Sequence, residues 1–477
     1  MEKSIKRNYF YNVSYQIVLM LTPLLTTPYL SRVLGPEGIG AVSYAESIVA
    51  YFTLFAVLGI TTYGQREISY VQDDRDKRTR VFWDTKTLEI ITSLLILAVY
   101  MFFSFRQHNS TLYLVFSLNI IAVVFDITWF FQGIEEFGKI VFRNLVFKLI
   151  NIVYIFAFVK KADDFLVYAF GLAFFLFAGN LSLWIYLPHY VNKPSFKELS
   201  PFHDLKTVLS LFIPTIAIQI YTVLDKTMIG LITQDVFENG YYEQAIKMAR
   251  LVLTLVTSLG AVMIPRIGFH YKKGETDVVN SFMYKSYRFV WLAGIPFCLL
   301  LIGVSPNFVP WFFGMKFIQV VPLLEVLSFL ILAIGINNVT GMQYLIPTNR
   351  QNLFTFTVIS GAITNFILNL VLIPHYKALG AAVASVAAET VIAILQLYLV
   401  RKDFSVKKVF SSCRNYLISG ILMIIVLKLM NPFLSPSILH TFMMGISGIL
   451  VYAGILFVVK DDFFMENSLK LLSKIKT

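Results

Sequence analysis

The apolar residues of this chain fall in repeated blocks of about 20, the length at which an α-helix crosses a hydrocarbon core of roughly 30 Å. The blocks lie at 9–30, 40–64, 84–105, 111–133, 141–159, 165–187, 208–231, 240–265, 286–305, 318–342, 353–374, 378–400, 415–431 and 438–459. Backbone polar groups find no water at that depth, so each block is expected to be a helix. The predicted fold class is all-α: a polytopic membrane protein with about fourteen transmembrane helices. The longest polar connections, 65–83 and 188–207, are too short for a separate soluble domain.

Composition supports this reading. The 477 residues are 57% apolar, 16% aromatic and 14% charged, whereas a soluble domain is usually about 25% charged. The two cysteines, Cys298 and Cys413, lie in or beside apolar blocks, which excludes a disulfide framework and a thiolate metal site. The six histidines show no metal-ligand spacing, and no Gly-x-x-x-x-Gly-Lys-Ser/Thr segment offers an ATP site. The basic start at 1–8 followed by an apolar run superficially looks like a secretory signal. Asn12, Gln16, Pro23 and the lack of a small-residue cleavage site make it a retained first helix instead.

Charge sets the expected orientation. With the N-terminus inside, the segments facing the cytoplasm hold 27 of the 40 lysines and arginines, while the opposite loops hold Arg32, Arg106, Lys160, Lys161, Lys316 and Lys377. Cytoplasmic loops keep such an excess, so both termini are expected in the cytoplasm. The net charge of +12 is then mostly a topological signal and poor evidence for a nucleic-acid partner.

At an offset of 200, Gly40, Ala45 and Arg66 match Gly240, Ala245 and Arg266. Leu58-Gly59 falls one residue out of register with Leu259-Gly260. Both sets sit in the second helix of a six-helix block. The expected organisation is a lobe at 1–200, a parallel repeat of it at 201–402, and an appendix of two helices with a cytoplasmic tail at 403–477. Two such lobes around a cavity are typical of transporters.

Several blocks carry ionisable groups: Glu46, Glu89, Asp126, Lys148, Asp225, Lys226, Arg250 and Glu389. A charge near the bilayer centre costs about 2.5–3.5 kcal/mol on insertion scales, so such groups face a bundle interior or a wet cavity. Either they contact a substrate or they form ion pairs that fix helix register. Asp225 and Lys226 point about 100° apart on a helix and cannot simply pair with each other. Cations in a low-dielectric cavity suit a phosphate-bearing, anionic substrate. Arg250, Lys226, Lys148, Arg32, Arg66 and Arg266 are the candidates for contacting it. Arg66, Arg143 and Arg266, at cytoplasmic ends, either gather a phosphate headgroup at entry or are ordinary topological charges.

Asn365 and Asn369 share a helix face that Pro374 is expected to end. With Asp225 and Ser385 they have the oxygens of a sodium-type site, or else they hydrogen-bond between helices. Glu46 and Asp126 complete the candidates for ion or proton coupling. Interruptions are expected at Pro23 and Pro28, at Pro214, and at Gly335, Gly341 and Pro347, either as hinges or as static kinks.

Three stretches carry a family resemblance: TPLLTTPYLSRVLGPEGIGAVSYAES from residue 22, LGITTYGQREIS up to residue 69, and FDITWFFQGIEEFGKIVFRN at 125–144. With GMQYLIPTNRQN at 341–352, TNFILNLVLIP at 364–374 and LGAAVASVAAE at 379–389, they closely resemble the polysaccharide transporter family of bacterial oligosaccharide flippases, the O-antigen or capsule repeat-unit translocases. The resemblance implies the fold of the multidrug, oligosaccharidyl-lipid and polysaccharide exporter superfamily, two six-helix lobes around a cationic cavity. It implies a non-enzymatic flippase of the cytoplasmic membrane that turns undecaprenyl-diphosphate-linked oligosaccharide from the inner to the outer leaflet. Membrane lipids and the polysaccharide polymerase and chain-length machinery are the implied partners, and one chain is enough to enclose the pathway. No cofactor is implied beyond a coupling sodium ion or proton. Related lipid II flippases place a carboxylate where this chain has Asn369, which leaves the coupling ion open. The competing readings are another exporter of the superfamily, for lipid II or drugs, and a membrane glycosyltransferase or polymerase, which would need catalytic residues on larger outer loops.

Overall fold

Helices account for every regular element among the described residues, which in the computed structural model are 5–193 and 199–475, without the side chains of 5–17, 213, 214, 217, 218, 220, 221 and 469–475. Two compact units divide the chain, Met1–Gly230 and Leu231–Thr477. The first contains α1 (Ile5–Val57), α2 (Ile60–Tyr70), α3 (Arg75–Ser104), α4 (Ser110–Phe125), α5 (Thr128–Gly133), α6 (Phe137–Phe158), α7 (Phe165–Ser182) and nearly all of α8 (Leu205–Thr233). The second contains α9 (Val236–Thr257), α10 (Gly260–Lys272), α11 (Thr276–Phe289), α12 (Ile295–Phe312), α13 (Val320–Leu327), α14 (Leu330–Asn337), α15 (Gln351–Leu399), α16 (Val406–Ser411), α17 (Arg414–Met430), α18 (Ile438–Val458) and α19 (Asp462–Ile475).

Eleven helical stretches among the described residues are long and apolar enough to cross a membrane. The expected number of fourteen differs because the expected pairs 9–30 with 40–64 and 353–374 with 378–400 run together, and because the expected block 208–231, in α8, includes side chains outside the described residues and is not among the eleven. The 53 residues of α1 and 49 of α15 would each measure about 75–80 Å if straight, far more than one crossing. Each is broken once, α1 at Gly35 and α15 at Lys377, where φ turns positive. In α15 the break is a reversal. Gln396 Nε2 donates to Thr357 Oγ1 at 3.2 Å, and a Cβ on Gly361 would lie 2.4 Å from the Ile392 side chain. Residues 31 and 39 apart meet in this way only if the two halves run antiparallel. Buried Ala378, Ala381, Ala382, Ala384, Ser385 and Ala388 allow the close approach.

The face pattern of α3 shows which solvent the protein is built for. Its buried side carries Thr85, Lys86, Glu89, Ser93 and Ser104, while Leu94, Leu95, Val99 and Phe102 are exposed. A water-soluble helix has the opposite arrangement; here hydrocarbon is the solvent.

Several expected continuous helices are interrupted. The block 111–133 breaks at Asp126-Ile127 between α4 and α5, and 240–265 breaks at Ser258-Leu259 between α9 and α10. The two members of the repeated Leu-Gly pair both fall at such breaks, Leu58-Gly59 between α1 and α2 and Leu259-Gly260 at the start of α10. Pro23 and Pro28 stay inside helical backbone, and α15 continues past Pro374, its expected end, to the break at Lys377. Gly341 lies in a π-helical turn, Asn338–Leu345. The side chain of Pro214 lies outside the described residues. The expected polar loop 65–83 is largely helical, being the end of α2 and the start of α3.

Gly59 makes the first break possible. Its φ is +78°, and an added Cβ would lie 3.0 Å from both Val208 O and Phe212 N on α8. Gly59→Ala is therefore expected to cost about 1–2 kcal/mol in left-handed backbone strain alone, with the clash in addition. A fall in the Tm of the purified protein would register it, and an unchanged Tm would contradict it.

Asp461, 5% exposed, anchors the start of α19. It accepts from Arg288 Nη2 at 3.1 Å, Tyr416 Oη at 2.9 Å, Asn415 Nδ2 at 3.3 Å and Phe464 N at 3.0 Å. Burial pushes its pKa up, but these donors outweigh burial and hold the carboxyl below the ordinary range. A depressed folded-state pKa contributes stability that is complete above the unfolded value near ~3.9 and is lost as pH falls through the folded value. Asp461→Asn is expected to lower Tm at pH 7 and to flatten the further loss of Tm as pH falls below about 4. Parallel melting curves would contradict this.

Candidate functional site: adjoining polar cavities in the first unit

Asp126 marks where the site is built. At the α4–α5 break its Oδ1 accepts from Thr128 N at 2.8 Å, which caps the short α5. The break leaves carbonyls without helical partners, and Lys86 of α3 reaches them. Lys86 Nζ donates to Asp126 O at 2.8 Å, Val123 O at 3.3 Å and Glu89 Oε2 at 2.6 Å. The Lys86 side chain is fully buried and that of Glu89 is 2% exposed. An ammonium at this depth is tolerable because its three hydrogen bonds go to a carboxylate and two carbonyl oxygens.

Beside this clamp lies a cavity of about 330 Å³ lined by Glu46 of α1, Asn119 and Val123 of α4, Asp126, Asn180 of α7 and Lys226 of α8. Helix α8 is seated on α1 by two contacts. Thr227 Oγ1 donates to Ser47 Oγ at 3.0 Å, and Gly230 lies so close to the Tyr44 ring that a Cβ would come within 2.2 Å of it. These contacts bring Lys226 to the same cavity as Glu46 and Asp126, three predicted site residues from three separate segments.

A second cavity, of about 220 Å³, opens between α6 and α7. Arg143, Asn144, Phe147, Lys148 and Asn151 line it from α6, and Leu176 and Asn180 are common to both cavities. Arg143 is oriented by Asn144 Oδ1, at 2.7 Å from Nη2, and by Asn180 Oδ1, at 3.0 Å from Nη1. Asn180 in turn donates to Ala122 O at 2.9 Å. The pair of cavities thus presents cations, carboxylates and amides within one helical unit, which suits an anionic, hydroxyl-rich ligand.

The other predicted residues lie elsewhere. Arg32 is exposed near the Gly35 break, and Arg250 and Arg266 are exposed on α9 and α10. Arg66 is paired with its neighbour Glu67 at 2.8 Å. Asp225 precedes Lys226 on α8 and is partly buried. In the second unit the buried Asn369 donates its Nδ2 to Asn365 Oδ1 at 3.1 Å, and Ser385 shares a 3.2 Å hydrogen bond with Tyr242. Glu389 accepts from Asn337 Nδ2 at 2.5 Å. Sequence reasoning missed Lys86 and the amides Asn119, Asn144, Asn151 and Asn180, and weighed Arg143 only as an entry contact for a headgroup or a topological charge. The spacing of Asn144, Lys148 and Asn151 at i, i+4 and i+7 was the available signal.

Comparison with known proteins agrees with this architecture. A candidate O-antigen transporter of Escherichia coli strain K12 is 26% identical over 412 residues, covering 84% of this chain and 97% of that protein. The lipid II flippase MurJ in its inward closed conformation superposes with a TM-score of 0.73 at 15% identity, covering 94% of this chain and 98% of MurJ. An inward-facing multidrug transporter of the MATE family, in the MOP superfamily, gives 0.62 at 13% identity, covering 83% and 95%. These likenesses establish the expected exporter fold. Residues 5–269 match the polysaccharide biosynthesis protein family, and with more than half its length matched the chain belongs to that family.

Proposed function

We propose that the protein is a flippase that moves undecaprenyl-diphosphate-linked oligosaccharide from the inner to the outer leaflet of the bacterial cytoplasmic membrane, by alternating access, for surface polysaccharide synthesis. The observation that carries this reading is the charged double cavity inside an otherwise lipid-facing bundle. Lys226 supplies a cation for a diphosphate, and Lys148, Arg143 and the clustered amides supply hydrogen-bonding groups for sugars. Family membership and the O-antigen transporter relative support the class of cargo. Glu46 and Asp126 are assigned to coupling, with a proton or sodium ion as the driving species. Arg66 and Arg266 are assigned to gathering the headgroup at the cytoplasmic entry, Arg250 and Arg32 to contacting the substrate along its path, and the polymerase and chain-length machinery would receive the flipped unit.

In cells, deletion of the gene is expected to abolish surface polysaccharide and a plasmid copy to restore it. Arg250→Ala is expected to restore about a tenth or less of the wild-type amount at equal protein level, corresponding to about 1.4 kcal/mol or more of lost interaction. Full restoration would remove Arg250 from the pathway, and undiminished polysaccharide after the deletion would count against the cargo assignment.

A further inference from the structure

The α6–α7 cavity contains an acceptor that a phosphate cannot satisfy. Asn151 sits in the middle of α6 and is 8% exposed, and no donor among the described residues reaches its Oδ1. Asn119 Oδ1, in the adjoining cavity, is likewise buried and unmatched. A buried acceptor without a partner costs free energy wherever it lies, and more so at membrane depth, so its retention points to a donor that arrives with a ligand. Ionised phosphate oxygens only accept. Sugar hydroxyls and acetamido N–H groups donate.

The rest of the lining fits the same ligand. Phe147 and Phe175 offer apolar faces to the C–H face of a sugar ring, and Lys148 and the oriented Arg143 supply donors for ring and hydroxyl oxygens. Leu176 and Asn180 line both cavities, so the unmatched acceptors lie in adjoining spaces. Together the two spaces reach the roughly 300–1,000 Å³ usual for small-molecule clefts.

We infer that the α6–α7 cavity is a glycan subsite in which Asn151 accepts a hydrogen bond from a sugar hydroxyl or acetamido N–H, with Asn119 doing the same in the adjoining space. The subsite rests on the flippase reading and assigns the sugar end of the cargo to the first unit. It makes Asn151 and Asn119 determinants of glycan preference rather than of diphosphate affinity.

The test uses the full chain in lipid nanodiscs and two probes: the lipid-linked oligosaccharide extracted from host membranes, and undecaprenyl diphosphate without sugar. Wild-type protein is expected to bind the first about tenfold or more tighter than the second. Asn151→Leu, close in volume but without an acceptor, is expected to lose about fivefold or more in affinity for the oligosaccharide lipid while holding undecaprenyl diphosphate within about twofold. Its Tm is expected to be unchanged or higher, because an unmatched acceptor has gone. If Asn151→Leu does not fold, Asn119→Leu decides by the same comparison. Equal losses for both probes, or no loss for either, would overturn the subsite, as would wild-type protein that binds both lipids equally. Wild-type protein that binds neither lipid would overturn the flippase reading and the subsite with it.

Discussion

Lys86→Met is expected to destabilise the first unit by about 3–5 kcal/mol, the usual cost of leaving one partner of a buried ion pair uncompensated. The ammonium holds Glu89 at 2.6 Å and also satisfies the Asp126 carbonyl at 2.8 Å. Its loss strands a carboxylate and a carbonyl at a depth where no water replaces it. The effect is measurable as a lower Tm in detergent and a lower yield in membranes. Lys86→Met combined with Glu89→Leu is expected to recover most of the loss, since removing both charges of a buried pair is often nearly neutral. A single-variant cost under about 1 kcal/mol would mean that the pair behaves like a solvated surface bridge.

The largest effect on transport is expected at Lys226. Lys226→Ala should lower translocation of lipid-linked oligosaccharide by about tenfold or more, the equivalent of at least about 1.4 kcal/mol of interaction with the diphosphate. Charge attraction is strengthened in the low-dielectric cavity that Lys226 shares with Glu46 and Asp126. Lys226→Arg keeps the charge and is expected to keep most of the activity, while Tm stays close to wild type in both. The measurement is the initial rate of transfer in vesicles at equal protein content. An unchanged rate for Lys226→Ala would place the diphosphate elsewhere.

Much of the fold is legible in the sequence, because hydrocarbon as a solvent leaves block hydropathy as a strong signal. The helix breaks went unread. The Leu-Gly pair at 58–59 and 259–260 stood out only as a repeat, with continuous helices expected through both. The break at Asp126-Ile127 was hidden inside an apolar block, although Asp126 two residues before Thr128 has the spacing of a side-chain cap.

Asn365 and Asn369 were expected on one face and do meet, hydrogen-bonded to each other. Lys86 escaped notice because a lysine at the third position of a block ordinarily extends its stem toward the interface. Only the packing of α3 against the α4–α5 break turns it inward. Asn151 and Asn180 were equally inconspicuous, because a single amide within an apolar run reads as an interhelical hydrogen bond until neighbouring helices show what it faces.

The most direct measurement is translocation by the purified protein in liposomes, with labelled undecaprenyl-diphosphate oligosaccharide placed in one leaflet and an ion gradient imposed. Access of an external glycosidase reports the sugar that has crossed. Protein-dependent transfer of an unaltered glycan, slowed by Lys226→Ala, is the expected result. A cognate lipid that stays in its leaflet despite sodium and proton gradients would contradict it, and so would elongation of the glycan without transfer.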